Sequence, residues 1–489
     1  MTAQLPASRA RRRGPVPEPL PETGPGKSPR VVRRRPAWIA AWPITALLVL
    51  YPLWWALGLA DYMPVLLALP MAARMYAWRH SGARRILFPP GFPLWLLFLL
   101  CTAVSALALP LTAPETIDSS VSNRALSFGQ RGIMYLGITV LLIYAGNLTE
   151  KELPRRRLAW MLGLIGVYAI VGGIAAMLAP HFQFSSPLLT ILPHSLRSNY
   201  AIASTMHPGL AQAQYIVGAA SGRPKAPFDF TNTWGNCLSL VLPWLVAVWC
   251  TQASRRQRFL AIGLLVVSVG PIIYSLNRAM WIGLGISAGY VGLRMVARGR
   301  LAPLAAMMAG IAVIGIALVA TPLSTVITQR LDNGQSNQIR SNLTSKAIED
   351  ALASPVIGYG DTRRVIGSVA SIAIGPTANC PACGQAVVGS NGQLWLLLVC
   401  VGFPGTLGYL GFFAYGAWRY RRDRTPIGLA GVLVLLLPFL YMTTYVAVGP
   451  PLEFTMLAYA VLWKNDRAIW PGSALRGRLD PAPVDEMTS

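Results

Sequence analysis

Arg278 stands in the run IYSLNRAMWIGLG, at a very short polar break between two apolar segments, with Ser275 and Asn277 beside it. An arginine at that depth is costly unless it is paired, hydrated or engaged with an anion. Guanidinium keeps its charge in a partly dry site and offers paired donors shaped for phosphate. Two readings follow: snorkelling to lipid phosphates, or holding an anionic ligand. A second polar stretch, SGRPKAPFDFTNTWGNCLSLVLPW, carries Arg223 and Lys225 ahead of an apolar segment, and its Asn232 and Asn236 share one helical face. Asparagines there can bind hydroxyl or phosphate groups of a ligand, or cap and order the helix start. A third stretch, SNQIRSNLTSKAIEDALASPVIGYG, places Arg340 before a short amphipathic helix over 343–352, capped by Asn342 or Ser341 and stopped by Pro355. Gly358 and Gly360 then form a turn that permits close backbone approach.

Other chemistries fare less well. The glycines lack the preceding strand and the Gly-Lys-Ser/Thr ending of a phosphate-binding loop, which argues against ATP hydrolysis. Cys380 and Cys383, in NCPACG, suit a local disulfide, a redox pair or half a zinc site. No second ligand pair accompanies them, and His80, His181, His194 and His207 show no metal spacing, so neither a metal nor a cofactor is expected. Cys101, Cys237, Cys250 and Cys400 fall in or near apolar segments and read as packing residues. Candidate acids and bases near the cations are Asp229, Asp332, Glu349, Asp350, Asp361, His181, His194 and His207, and pattern alone distinguishes none of them.

The elements that must position these residues are apolar. Of 489 residues, 54% are apolar and only 12% charged, a balance that suits a helical membrane domain better than a soluble globule. The net charge of +24 sits in short clusters between apolar runs, where it faces lipid headgroups and sets topology rather than binding nucleic acid. Roughly twelve spans are expected, near 37–58, 60–78, 92–110, 131–147, 158–179, 231–250, 259–275, 278–296, 302–321, 390–417, 425–448 and 451–463. The last is short and the second contains prolines, so ten or eleven remain open. Arg74, Arg79, Arg84 and Arg85 open a series of basic loops. It continues at Arg155–Arg157, Arg255–Arg258, Arg294–Arg300 and Arg419–Arg424. Every second loop is basic, which puts both termini in the cytoplasm and leaves two long loops, about 181–230 and 322–389, outside. Residues 1–36, with nine Arg/Lys and eight prolines, read as a disordered basic cytoplasmic arm, residues 37–467 as the polytopic domain and 468–489 as a cytoplasmic tail. The apolar run 37–58 lacks a small-residue cleavage site and reads as a retained first helix, not a signal peptide. The fold class expected is all-α and polytopic, in an inner or plasma membrane.

With these motifs in place, the chain resembles the superfamily of O-antigen ligases and O-antigen or exopolysaccharide polymerases over roughly residues 215–415. FDFTNTWGNCLSLVLPW resembles the family's Asn-bearing start of the sixth span, and SLNRAMWIGLG its Ser-x-Ser-Arg helix start. IRSNLTSKAIEDALASPVIGYG resembles the Arg-containing helix ending in Pro and Gly-x-Gly, and SNGQLWLLLVCVGFPGTLGYL the His-Asn-x-x-Leu start of the next span. The resemblance implies catalytic roles at Arg278, Arg340, Ser390 and Asn391, and substrate binding at Arg223, Asn232 and Asn236. Where the ligases carry a histidine, this chain has Ser390. A serine alone cannot replace imidazole as a base near neutral pH. Another group takes that role, or binding and phosphate stabilisation suffice, or the chain has a related noncatalytic task.

What the resemblance implies is metal-independent, inverting transfer from a polyprenyl-diphosphate-linked glycan donor to a glycan, lipid or protein acceptor, among membrane lipids. Two readings of other classes stand beside it: a transporter of a polar or anionic solute, and a noncatalytic scaffold in envelope polysaccharide assembly.

Overall fold

The structure is a computed structural model. It describes residues 38–469 apart from 118–119, 192, 194–204, 216–219, 252–253, 303, 306, 311, 313–334 and 367–384. The expected basic arm, the tail, Cys380, Cys383 and most of the span expected at 302–321 lie outside the described residues.

Helices α1 (Trp38–Val49), α2 (Tyr51–Ala56), α3 (Met63–His80), α4 (Phe92–Val104), α5 (Val121–Asn147) and α6 (Arg155–Leu178) form the first half. After a hairpin of β1 (Ala211–Tyr215) and β2 (Ala220–Pro224) come α7 (Thr231–Trp244), α8 (Arg255–Val267), α9 (Val269–Tyr274) and α10 (Arg278–Val296). Then follow α11 (Gln335–Ala353), a hairpin of β3 (Arg363–Ile366) and β4 (Gln385–Val388), α12 (Gln393–Tyr420), α13 (Pro426–Tyr441) and α14 (Pro450–Ile469). Among the described residues, six helical stretches are long and apolar enough to cross a membrane: Val121–Asn147, Arg155–Leu178, Thr231–Cys250, Arg255–Tyr274, Arg278–Val296 and Gln393–Tyr420. The chain is a multi-pass, predominantly α-helical membrane protein.

Helix α14 is the axis of the packing. Phe454, Met456, Leu457, Ala458, Ala460 and Val461 are all inaccessible, so the stretch 454–463 is buried on every face, as a run apolar all round requires. Beside it, Trp95, Phe98, Tyr409, Phe412 and Phe413 interlock α4 with α12, and Phe412 stacks on Tyr459 of α14 at 4.5 Å between centroids.

One end of the bundle gathers the basic loops. Arg84 grips Glu152 through both guanidinium nitrogens at 3.0–3.1 Å. At the same end, Arg419 meets Asp466 at 3.0 Å and Arg294 donates to the carbonyl of Arg421 at 2.9 Å. These contacts join the C-terminal ends of α3, α5, α10, α12 and α14 with the start of α6. The opposite end carries the start of α10, about 28 Å away along that helix.

At that opposite end the chain departs from simple spans. Pro404 has no amide hydrogen, and Gly402 takes φ +67, so α12 kinks and frees the carbonyls of Val399 and Cys400. The turn after α11 fills the break. Tyr359 N donates to Val399 O at 2.8 Å, Gly360 N to Cys400 O at 2.9 Å, and Phe403 N donates back to Pro355 O at 2.8 Å. Gly358 (φ +64) is required, since a Cβ there would lie 2.6 Å from the carbonyl carbon of Cys400. Arg131 of α5 secures the turn. It binds Asp361, donates to Gly360 O at 3.2 Å and reaches Cys400 Sγ at 3.1 Å.

Three expected bounds are corrected. Helix α11 runs over Gln335–Ala353 rather than 343–352, so Asn342 and Ser341 lie exposed inside it and cap nothing, and Arg340 belongs to the helix. No helix breaker separates Gln335 from Ser341, and a possible cap residue starts no helix when the turn before it can already wind. The span expected at 425–448 ends at Tyr441, and 442–449 is irregular. That backbone is satisfied inside the protein: Leu394 N donates to Met442 O and Gln393 N to Tyr445 O, both at 2.8 Å. Helix α5 begins ten residues before the expected 131, at Val121, with Ser120 as its cap.

The buried face of α11 is not purely apolar. Asp350 lies between Ala347 and Ala351 with no exposure, and neither carboxylate oxygen finds a hydrogen bond among the described residues. Lys346 Nζ stands 4.0 Å away. Burial pushes this carboxyl up to about 6, with Lys346 opposing. A raised folded-state value means the favourable protonated state is fully present below about pH 4 and is lost as pH rises through about 6. Asp350→Asn is expected to stabilise the protein at pH 7 by roughly 1–3 kcal/mol and to flatten the fall in stability between pH 4 and 6. Thermal unfolding of the full chain in detergent across that range checks this, and an unchanged pH profile would refute it.

Candidate functional site

The turn Ser275–Asn277, between α9 and α10, is built by its neighbours. Ser275 hydroxyl donates to Ile272 O at 2.6 Å, and Leu276 takes φ +53. Asn277 caps α10 by accepting from Met280 N at 3.5 Å, and the hydroxyl of Tyr445 donates to its Oδ1. Arg278 is therefore the first residue of a 19-residue helix, where the helix dipole adds positive potential to its own charge. Arg223, buried at the end of β2, donates from Nε to Ser275 O at 2.6 Å. It holds the turn from behind.

Arg340 approaches from α11. Its Nη1 donates to Thr444 O at 3.1 Å. Burial holds this guanidinium below the ordinary arginine range, and repulsion from Arg278 adds to that, with Tyr445 opposing. Two cations on separate elements thus feel one another across the same surface. Asn391, two residues before α12, donates to Thr344 Oγ1 at 2.9 Å and to Arg340 O at 3.4 Å, which pins α11 to the start of α12. Its Oδ1 is buried without a hydrogen bond among the described residues.

Asn236 is buried and lines a cavity of about 20 Å³ with Gln393, Tyr441 and Tyr445. This is room for about one water molecule. Gln393 Oε1 accepts from Ala447 N at 2.8 Å, so the irregular segment 442–447 is the hub on which α7, α10, α11 and α12 converge.

The structure brings together Arg278, Arg340, Asn391 and Asn236 around that hub, with Arg223 one hydrogen bond behind. Two sequence candidates stay apart. Ser390 lies exposed and its hydroxyl donates to Val387 O at 2.7 Å, closing the turn between β4 and α12. Asn232 is exposed on the first turn of α7, so only Asn236 of that pair reaches the cavity. Tyr445 and Thr344 were not singled out by sequence. The one available signal was Gly449-Pro450-Pro451, which marks a chain break just after Tyr445. Among the described residues, no group of three or more His, Cys, Asp and Glu is placed to hold a metal ion. Compared with family models, curated proteins and solved structures, the chain matches none.

Proposed function

We propose that the chain is a membrane glycosyltransferase of O-antigen ligase or polymerase type, drawing on a polyprenyl-diphosphate-linked glycan. In this reading the chain crosses an inner or plasma membrane about twelve times, with both termini cytoplasmic and the Arg278 end outside. The observation that carries it is that Arg340 and the Arg278 turn, from distant parts of the sequence, meet one irregular segment: Arg340 donates to Thr444 O at 3.1 Å and the next residue, Tyr445, binds Asn277. Gathering like charges in a partly buried place costs free energy that a bound polyanion returns. A diphosphate fits that charge and offers oxygens for both guanidinium forks.

The chemistry follows from the charge. An acceptor hydroxyl attacks the anomeric carbon from the face opposite the diphosphate, and the glycosyl–oxygen bond breaks with its electron pair leaving on the diphosphate. Negative charge grows on that leaving group as the bond lengthens. Preorganised guanidinium groups favour the transition state over the ground state in proportion to this growth. Arg223 acts at one remove, by fixing the turn that aims Arg278.

Cells lacking the gene are expected to accumulate lipid-linked glycan and to lose long surface polysaccharide, with both restored by the wild-type gene. Unchanged lipid-linked pools would overturn the reading.

A further inference from the structure

A set of carboxyls that no step above uses is tied to the arginine site through Thr231 and Arg223. Asp61, in the turn between α2 and α3, hydrogen-bonds through its side chain to Asp229, two residues before α7. Two carboxyls in hydrogen-bond contact need a proton between them. Below this pair, Glu453 on the first turn of α14 has no exposure, and both of its oxygens lack a hydrogen bond among the described residues. Tyr51 of α2, 1% exposed, points an equally unpartnered hydroxyl into the same group, where Glu453, Asp61 and Asp229 all act on it. Buried polar atoms without partners mark a place where a mobile species is held. The species that two carboxyls in hydrogen-bond contact hold is the proton.

The pair is also within reach of solvent and linked to the Arg278 turn. Asp229 and Asp61 are half-buried and reach the surface, while Glu453 does not. Thr231, two residues after Asp229, donates its hydroxyl to Arg223 O at 3.4 Å, and Arg223 holds the Arg278 turn. The other titratable groups facing the pair are Tyr62 beside Asp61, Lys225 in the Asp229 loop and Cys237 on α7. Burial pushes the Asp229 carboxyl above its ordinary range, while the bond from Asp61 and the Lys225 ammonium hold it down. Ser390 is engaged in the turn after β4 and offers no base.

We infer that the Asp61–Asp229 pair, backed by Glu453 and Tyr51, takes the proton of the attacking acceptor hydroxyl. This rests on the glycosyl-transfer reading. As the new carbon–oxygen bond forms, the O–H electrons supply it, the proton passes to Asp229, and the diphosphate leaves with the electrons of the old bond. The proton is then returned to the departing diphosphate or to water, so the cycle closes with no other reactant.

The test uses full-length protein in lipid nanodiscs, purified lipid-linked glycan as donor and its natural acceptor. Wild type is expected to transfer more rapidly as pH rises, while Asp229 ionises and Asp61 keeps the shared proton, and then to level off. Asp229→Asn is expected to lower turnover about hundred-fold, remove that limb and leave the donor KM unchanged, with Asp229→Glu recovering part of the rate. Glu453→Gln shifts the limb without moving the donor KM. Infrared titration of wild type and Asp61→Asn reads the shared proton directly, and its carboxyl band should be lost in the variant. An active Asp229→Asn with the wild-type pH profile overturns the assignment. A wild type that transfers nothing takes down the glycosyl-transfer reading and this assignment together.

Discussion

Alanine in place of Arg278 is expected to lower glycan transfer by about 10²–10³-fold, the loss seen when one preorganised donor to a growing negative charge is removed. The loss should fall mainly on kcat, because the charge on the leaving diphosphate is greatest in the transition state. Folding should survive. Asn277 still caps α10, alanine is the best helix former at the vacated position, and Arg223 still holds the carbonyl of Ser275. Arg278→Lys keeps a charge but not the fork, so only partial recovery is expected. Arg340→Ala should act in the same direction, and the double variant should lose less than the sum of the two, since both serve one anion. Steady-state transfer with lipid-linked donor in membrane vesicles measures all four. Full activity in Arg278→Ala would remove the diphosphate from this site.

What could be read beforehand divides along a physical line. Features that are local in sequence were legible. Helix α10 begins and ends at the expected residues, because an arginine after a polar turn and a basic cluster beyond an apolar run mark both ends. The Gly358–Gly360 turn makes its close approach, because a left-handed backbone leaves little choice of residue. Features made by distant segments were not legible. Nothing near Tyr445 says that it will bind Asn277, 168 positions earlier. Asp61 and Glu453 look like stray acids at segment ends until folding places them against Asp229. The length of α11 was missed for another reason: Ser341 and Asn342 are good caps but also tolerable helix residues, and packing on α12 decided between the two. Ser390 and Asn391 are neighbours in sequence with different fates, one closing the turn after β4 and the other joining α11 to α12.

Arg131→Ala should destabilise the fold by about 3–5 kcal/mol, the usual cost of leaving one member of a buried ion pair alone. Asp361 has 8% side-chain exposure and Arg131 16%, so little water is at hand to replace the partner. The guanidinium also serves Gly360 O and Cys400 Sγ, on the two strands of chain that meet in the kink of α12. Removing it loosens the turn 358–361, and the consequence reaches the site. That turn is where α11 is anchored, and Arg340 lies one helix length away on the same rigid element, held at its own end by Thr444 and Asn391. A loosened α11 lets Arg340 drift from Arg278, so donor KM should rise even at temperatures where the protein remains folded. Asp361→Asn alone should cost less, because its amide can still accept from Arg131. The double variant Arg131→Met/Asp361→Asn should recover part of the loss by removing the unpaired charge altogether. Unfolding of each variant in mixed micelles, read beside donor KM, separates these effects. A stable Arg131→Ala with unchanged donor KM would show that the backbone ladder between 355–360 and 399–403 anchors α11 unaided.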